Sequence, residues 1–171
     1  MSIKKIGIIK VAVVAALVLL ASACNSSASK SSSQSNGTPP VSYLTISEWN
    51  VRFQEDPEIS DLRYQVDPQH DSIVDFSSAS LISLSQQFGG ACALNNAPLG
   101  TLSRVSDFSA FTSSGHTAPP NVQIGNWYYY FVPAAGSCSP NESVQNLQSQ
   151  QGAELQSIIL DRLQTAPAQS S

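Results

Sequence analysis

The sequence predicts an α+β domain, with a mostly antiparallel sheet, a long C-terminal amphipathic helix packed on one face and one disulfide. Three observations carry this. Between residues 43 and 132 the apolar residues fall in short, often alternating runs separated by Pro, Gly, Asn and Ser, the pattern of strands joined by sizeable loops. From Val144 to Leu163 they change to helical spacing. Two cysteines, Cys92 and Cys138, flank the passage from one regime to the other. Strands followed by one amphipathic helix bury both apolar surfaces when the helix lies on the sheet.

The first run is Tyr43 to Phe53. Leu44 and Ile46 share one parity, Val51 and Phe53 the other, so a bend, bulge or short turn is expected near Glu48-Trp49. Asp61 to Val66 alternates and reads as a half-buried strand that Asp67-Pro68 ends. Ser72–Phe76 and Ser80–Leu84 read as two short strands, Gly100–Val105 as another, and Val122–Val132 as the last run. Ser139-Pro140-Asn141-Glu142 has the form of a capping box with Pro at the first helical position. Val144, Leu147, Leu155, Ile158, Ile159 and Leu163 trace the apolar stripe, with Gln and Ser on the other side. Gly152 weakens the middle, and Ala166-Pro167 marks the stop.

The N-terminus reads as an address. Lys4, Lys5 and Lys10 precede the uninterrupted apolar run Val11–Ala21, the layout of a secretory signal peptide over residues 1–23. The run is too short to span a bilayer, which needs about 20 apolar residues. Its end, Leu20-Ala21-Ser22-Ala23-Cys24, resembles the bacterial lipobox, in which the cysteine carries diacylglycerol and becomes the new N-terminus. Ala21-Ser22-Ala23 also fits an ordinary signal-peptidase site, so a soluble form starting at Cys24 is the competitor. Cysteine arithmetic favours the lipid. The chain has three cysteines, and lipidating Cys24 leaves Cys92 and Cys138 to pair with none left over. The resemblance implies a palmitate-type acyl anchor in the cell membrane and an extracytoplasmic domain. Residues 25–40, NSSASKSSSQSNGTPP, have nothing to bury and read as a tether, so that 24–41 is anchor and linker, 42–165 a single domain and 166–171 a tail.

Composition excludes several function classes. Loss of residues 1–23 removes three lysines and no acid, leaving 5 basic against 12 acidic residues, a net charge of −7. Such a surface repels nucleic acid, and no nucleic-acid partner is expected. Three scattered cysteines lack the paired spacing of a zinc site. Asp67, His70 and Asp71, with Asp75 beyond them, place carboxylates and an imidazole in one loop, but their spacing follows no established metal loop and a polar turn after Pro68 is the plainer reading. Serines are abundant, yet no G-x-S-x-G elbow occurs, and the second histidine, His116, sits in a loop by composition. A partner at Cys138 would make Cys92 inert as a nucleophile. No catalytic residue and no cofactor is assigned, and a hydrolase acting on envelope material ranks behind a binding protein.

The most unusual segment is Asn126 to Val132, NWYYYFV. On a strand Trp127, Tyr129 and Phe131 face one way and Tyr128, Tyr130 and Val132 the other. The second set, with Trp49 as companion, is either a stacking surface for a glycan or protein partner or a face covered by loops. Trp49, Trp127, Tyr128 and Tyr130 are the candidate partner-binding residues.

Tyr43-Leu44-x-Ile46-x-Glu48-Trp49-x-Val51-x-Phe53 resembles the opening of a group of uncharacterised extracytoplasmic proteins from small-genome bacteria, which also have a mid-chain cysteine near an Asn-rich loop (here Cys92 with Asn95-Asn96) and a late Tyr-Tyr segment (Tyr128-Tyr129-Tyr130). The group implies no activity. Asn50 stands where its opening has Gly. The order of strands and helix is also similar to a PsbP-like α+β sandwich. The functional expectation is a cell-envelope lipoprotein that binds a protein or glycan partner, with a structural surface protein lacking any small ligand as a further alternative.

Overall fold

The computed structural model describes residues 41–109, 111 and 117–168; Cys24, the leader, most of the tether and His116 lie outside them. The described strands form two antiparallel sheets. β1 (Tyr43–Ile46), β2 (Val51–Gln54) and β8 (Gln164–Thr165) make a three-stranded sheet in the order β1-β2-β8. The other sheet, in the order β3-β4-β5-β7-β6, has β3 (Leu62–Val66), β4 (Ile73–Ser78), β5 (Gly100–Val105), β6 (Asn121–Ile124) and β7 (Trp127–Val132). The α-helices described in full are α1 (Ala79–Gln87) and α2 (Glu142–Arg162).

The parity change in the first run has a definite cause. Ser47–Trp49 forms a turn of 3₁₀ helix and Asn50 adopts φ 53°, which folds β1 back on β2 with Leu44 opposite Phe53 and Ile46 opposite Val51. All four of these side chains are buried. Asn tolerates the left-handed conformation because its short polar side chain can hydrogen-bond locally, so the turn closes at Asn50 without a glycine.

This small sheet and α2 cover the inner face of the larger one. Phe53 meets Phe76 with ring centroids 6.2 Å apart, and Trp49 meets Tyr129 at 5.9 Å. Val74, Leu102 and Phe131 from the sheet and Val144, Leu155, Ile158 and Ile159 from α2 belong to the same core cluster. The bridge is present: Cys92 and Cys138 are joined, closing a separation of 46 residues.

Four expectations are corrected. Residues 80–84 are not a strand. They lie in α1, because the Ser78 hydroxyl caps the helix by accepting from the Leu81 amide at 3.0 Å, and Leu81 and Ser85, one turn apart, are the buried residues. The run Val122–Val132 is a hairpin rather than one strand, with Gly125 at φ 58° in the two-residue turn between β6 and β7. The long helix starts two residues later than the capping box suggested. Asn141 is its cap, its side-chain oxygen accepting from the Ser143 and Val144 amides, while the Ser139 hydroxyl accepts from the Asn141 amide. Finally, α2 ends at Arg162, before Ala166-Pro167. Residues 164 and 165 then pair with β2, and the Ala166 amide donates to the Asn50 carbonyl at 2.9 Å.

Candidate functional site

The predicted aromatic residues do not converge on one surface. Trp127 and Trp49 lie on the inner face and Tyr128 and Tyr130 on the outer one. Trp49, expected beside Tyr128, is buried; its Nε1–H donates to the Asp71 carbonyl at 2.9 Å, and it leans on Tyr129. Strand alternation dictates the split, since Tyr129 pairs with Arg104 on β5 and points toward the core. The Arg104 guanidinium lies 4.7 Å from the ring centres of both Trp49 and Trp127. Trp127 is the exposed member, at 38%. On the outer face Tyr128 stacks on Phe108 at 5.4 Å, and Tyr130 meets the edges of Phe108 and Phe111. The loop reading of that face describes it: two phenylalanines from the segment after β5 cover the tyrosines, leaving both half-buried.

The loop after β3 is a tight turn. The Asp67 carboxylate accepts from the Gln69 and His70 amides at 2.7 and 3.1 Å, and His70 Nδ1 stands 3.5 Å from it. The Gln69 amide is the main reason the Asp67 carboxyl is held below its ordinary range, with His70 adding to it. Among the described residues no group of three or more His, Cys, Asp or Glu is arranged to hold a metal ion. Asp75 departs in the other direction. Burial on β4, and secondarily the charge of Asp67, push its carboxyl above the ordinary range.

The concave surface lies elsewhere, where sequence reasoning placed no site. It runs between α2, the turn at Pro98-Leu99 and the segment after β7. One cavity of about 370 Å³ is lined by residues including Pro98, Pro133, Gln145, Ser149, Gly152 and Gln156. A second of about 540 Å³ shares Pro98 and Pro133 and continues past Asn96, Thr101 and Ala135 to Cys138. No lining residue of either is charged. On α2 the lining positions 145, 149, 152, 153 and 156 recur at helical spacing, beside the buried stripe rather than opposite it. The sequence signal was available as a run of amides and small residues on one helix face.

The groove has a rigid floor. Gln148, buried on α2, donates from Nε2 to the carbonyls of Pro98 and Gly136 at 2.7 and 2.9 Å and accepts from the Cys138 amide at 3.0 Å. It ties the helix, the turn before β5 and the segment after β7 together where the disulfide also holds them. Such a surface offers amide and hydroxyl hydrogen-bonding groups between flat prolyl and alanyl faces. It suits an uncharged polar partner, and its lining includes no carboxylate, imidazole or thiol for nucleophilic or acid–base chemistry. Comparison with protein-family models, with curated proteins and with solved structures finds no match for this chain.

Proposed function

We propose that the chain is an exported lipoprotein, anchored to the cell membrane through diacylglycerol on Cys24, whose domain is a binding module rather than an enzyme. The observation that carries the address is the Cys92–Cys138 bridge. Structural disulfides belong to oxidising compartments outside the cytoplasm. The bridge also leaves Cys24, directly after Ala21-Ser22-Ala23, as the one cysteine of the three outside the Cys92–Cys138 pair. The basic, apolar and small-residue segments of the leader support the same reading. Two acyl chains would make the attachment stable where one is marginal.

The binding seat is the groove along α2. Its glutamine and serine side chains can pair with the backbone of an extended peptide, which has donors and acceptors at every residue and no charge. No aromatic ring lines it, which favours a protein segment over a glycan as the partner. The test follows membrane partition of the full chain and of Cys24→Ser in the native host, then binding of neutral extended peptides and neutral oligosaccharides to the wild type and to Ala153→Arg. Ala153 is exposed on the groove wall, so arginine there fills the groove without disturbing the core. Release of Cys24→Ser from the membrane, and peptide binding that Ala153→Arg abolishes, are expected. Membrane retention of Cys24→Ser would overturn the anchor, and oligosaccharide binding without peptide binding would overturn the choice of partner.

A further inference from the structure

Arg104 and Arg52 depart from the pairing that the composition favours, each with a buried Nε that lacks a partner and an aromatic ring beside its guanidinium. Acidic residues outnumber basic ones by 12 to 5 after the leader, so a basic side chain should readily find a carboxylate. Arg162 does, 3.8 Å from Asp56. Arg104 has no ion pair among the described residues and instead lies against two indoles, 4.7 Å from each ring centre. Its Nε is buried and has no hydrogen-bond partner. A guanidinium lying against aromatic rings keeps its in-plane N–H groups for binding; the Tyr129 hydroxyl engages part of that fork, and the rest matches a carboxylate. Its backbone is fixed: the Arg104 amide donates to the Ser72 carbonyl at 3.0 Å, and Trp49 is pinned through Asp71. Trp127, exposed at 38%, is the wall that a ligand would share or displace.

We propose that Arg104, between Trp49 and Trp127, is a second binding site, which takes a carboxylate carried on an apolar or ring-shaped body. Displacement of the exposed Trp127 opens the buried Nε, and the carboxylate then bridges Nε and an adjacent Nη of Arg104, with the body of the ligand against Trp127. The site is separate from the α2 groove. Arg104 and Trp127 stand at one end of β5 and β7, and the groove residues Thr101 and Val132 at the other. The site is thus independent of the peptide reading of that groove.

The chain reports on this site by itself, because its only two tryptophans are the two that flank Arg104. The full chain in neutral detergent is titrated with phenylacetate, glucuronate and N-acetyl-Ala-Ala, each against its neutral amide, while tryptophan emission and the Arg104 Nε–H resonance are followed. Saturable changes in both signals with carboxylates and not with amides are expected. The ranking of the three acids separates an aryl, a sugar and a peptide C-terminal source. Arg104→Gln should weaken binding about tenfold or more, as loss of a charge-assisted pair predicts. Where Arg104→Gln fails to fold, as judged by near-UV circular dichroism, the wild-type Nε–H resonance alone decides. An unmoved Nε–H at the solubility limit of all three acids, or equal responses to acids and amides, would overturn the site and leave Arg104 a purely structural stack.

Discussion

Gln148 on α2 donates to the Pro98 carbonyl at 2.7 Å across 50 residues of sequence, the longest-range contact of an amide that also holds Gly136 and Cys138. The turn before β5 and the segment after β7 both depend on this one side chain of α2. Gln151, the next buried glutamine, does the same for α1: it accepts from the Ser78 hydroxyl at 2.6 Å and donates to the Ser80 hydroxyl at 3.1 Å, and Ser78 is the helix cap. Both residues look like solvated polar positions in the sequence and are structural clamps in the fold.

Gln148→Ala strands two carbonyls and one amide at the floor of the groove. Leaving buried partners unpaired costs about 1–3 kcal/mol each where water cannot replace the lost group. A loss of about 2–4 kcal/mol in urea unfolding is expected. Gln148→Glu should fall between Ala and the wild type, since it keeps the acceptor for Cys138 and loses the donors. Equal stability of all three would show that water replaces the clamp.

The disulfide closes a separation of 46 residues, worth about 4 kcal/mol in the chain-entropy account. Reduction, or replacement of both cysteines by alanine, should lower Tm by about 10 °C or more for a domain of this size. Differential scanning calorimetry with and without reductant checks it. An unchanged Tm would mean that the bridge constrains a segment already ordered without it.

Two Gly→Ala substitutions should have opposite signs. Gly100 sits at φ 116°, and a methyl group there would lie 2.6 Å from the Val132 carbonyl oxygen and 2.7 Å from Phe131 Cζ. Strain and steric overlap together should cost about 3 kcal/mol or more. Gly152 lies within α2, where an added methyl meets only the Leu99 carbonyl oxygen at 3.4 Å, an ordinary contact. Alanine there should stabilise by about 0.5–1 kcal/mol. Chemical denaturation of the pair reads both.

Asp75 makes stability depend on pH in a direction opposite to the usual surface carboxylate. Its folded-state pKa is raised by burial, so the folded protein holds this proton more tightly than the unfolded chain does. The stabilising contribution is therefore complete below the unfolded pKa, about 4, and is lost as pH rises through the higher folded value. Asp75→Asn removes the charged form. It should raise Tm at neutral pH, with the difference shrinking as pH falls toward about 4. A variant no more stable than the wild type at pH 7 would indicate that the ionised carboxylate has found compensation.

The fold class was legible because period is a strong signal. Two-residue alternation at Leu62–Val66 and helical spacing from Val144 onward each act over several residues and bury a whole face. Short runs carried less. Leu81, Ile82 and Leu84 fit a strand as well as a helix until the Ser78 cap is seen, and Gly125-Asn126 is a short turn signal inside a mostly apolar run. The site was less legible than the fold. A sequence shows that Trp49 and Trp127 are aromatic but not that Arg104 separates them, because that depends on the pairing of β5 with β7 and on the β1–β2 turn. The groove is hidden in the sequence for a related reason: buried Gln151 and groove-lining Gln145 and Gln156 share one helix, and only their depth tells them apart.

The small sheet joins the two ends of the domain. β1 begins at Tyr43, and β8, at Gln164–Thr165, docks on the far side of β2, with Ala166 bonded to Asn50. The earliest strands therefore wait for the latest one. A chain delivered through a translocation channel N-terminus first, as the proposed export requires, cannot complete this sheet until residues 164–166 have emerged. Until then that edge of β2 stays unpaired, and completion of the small sheet is timed by the arrival of residues 164–166 rather than by the length already across.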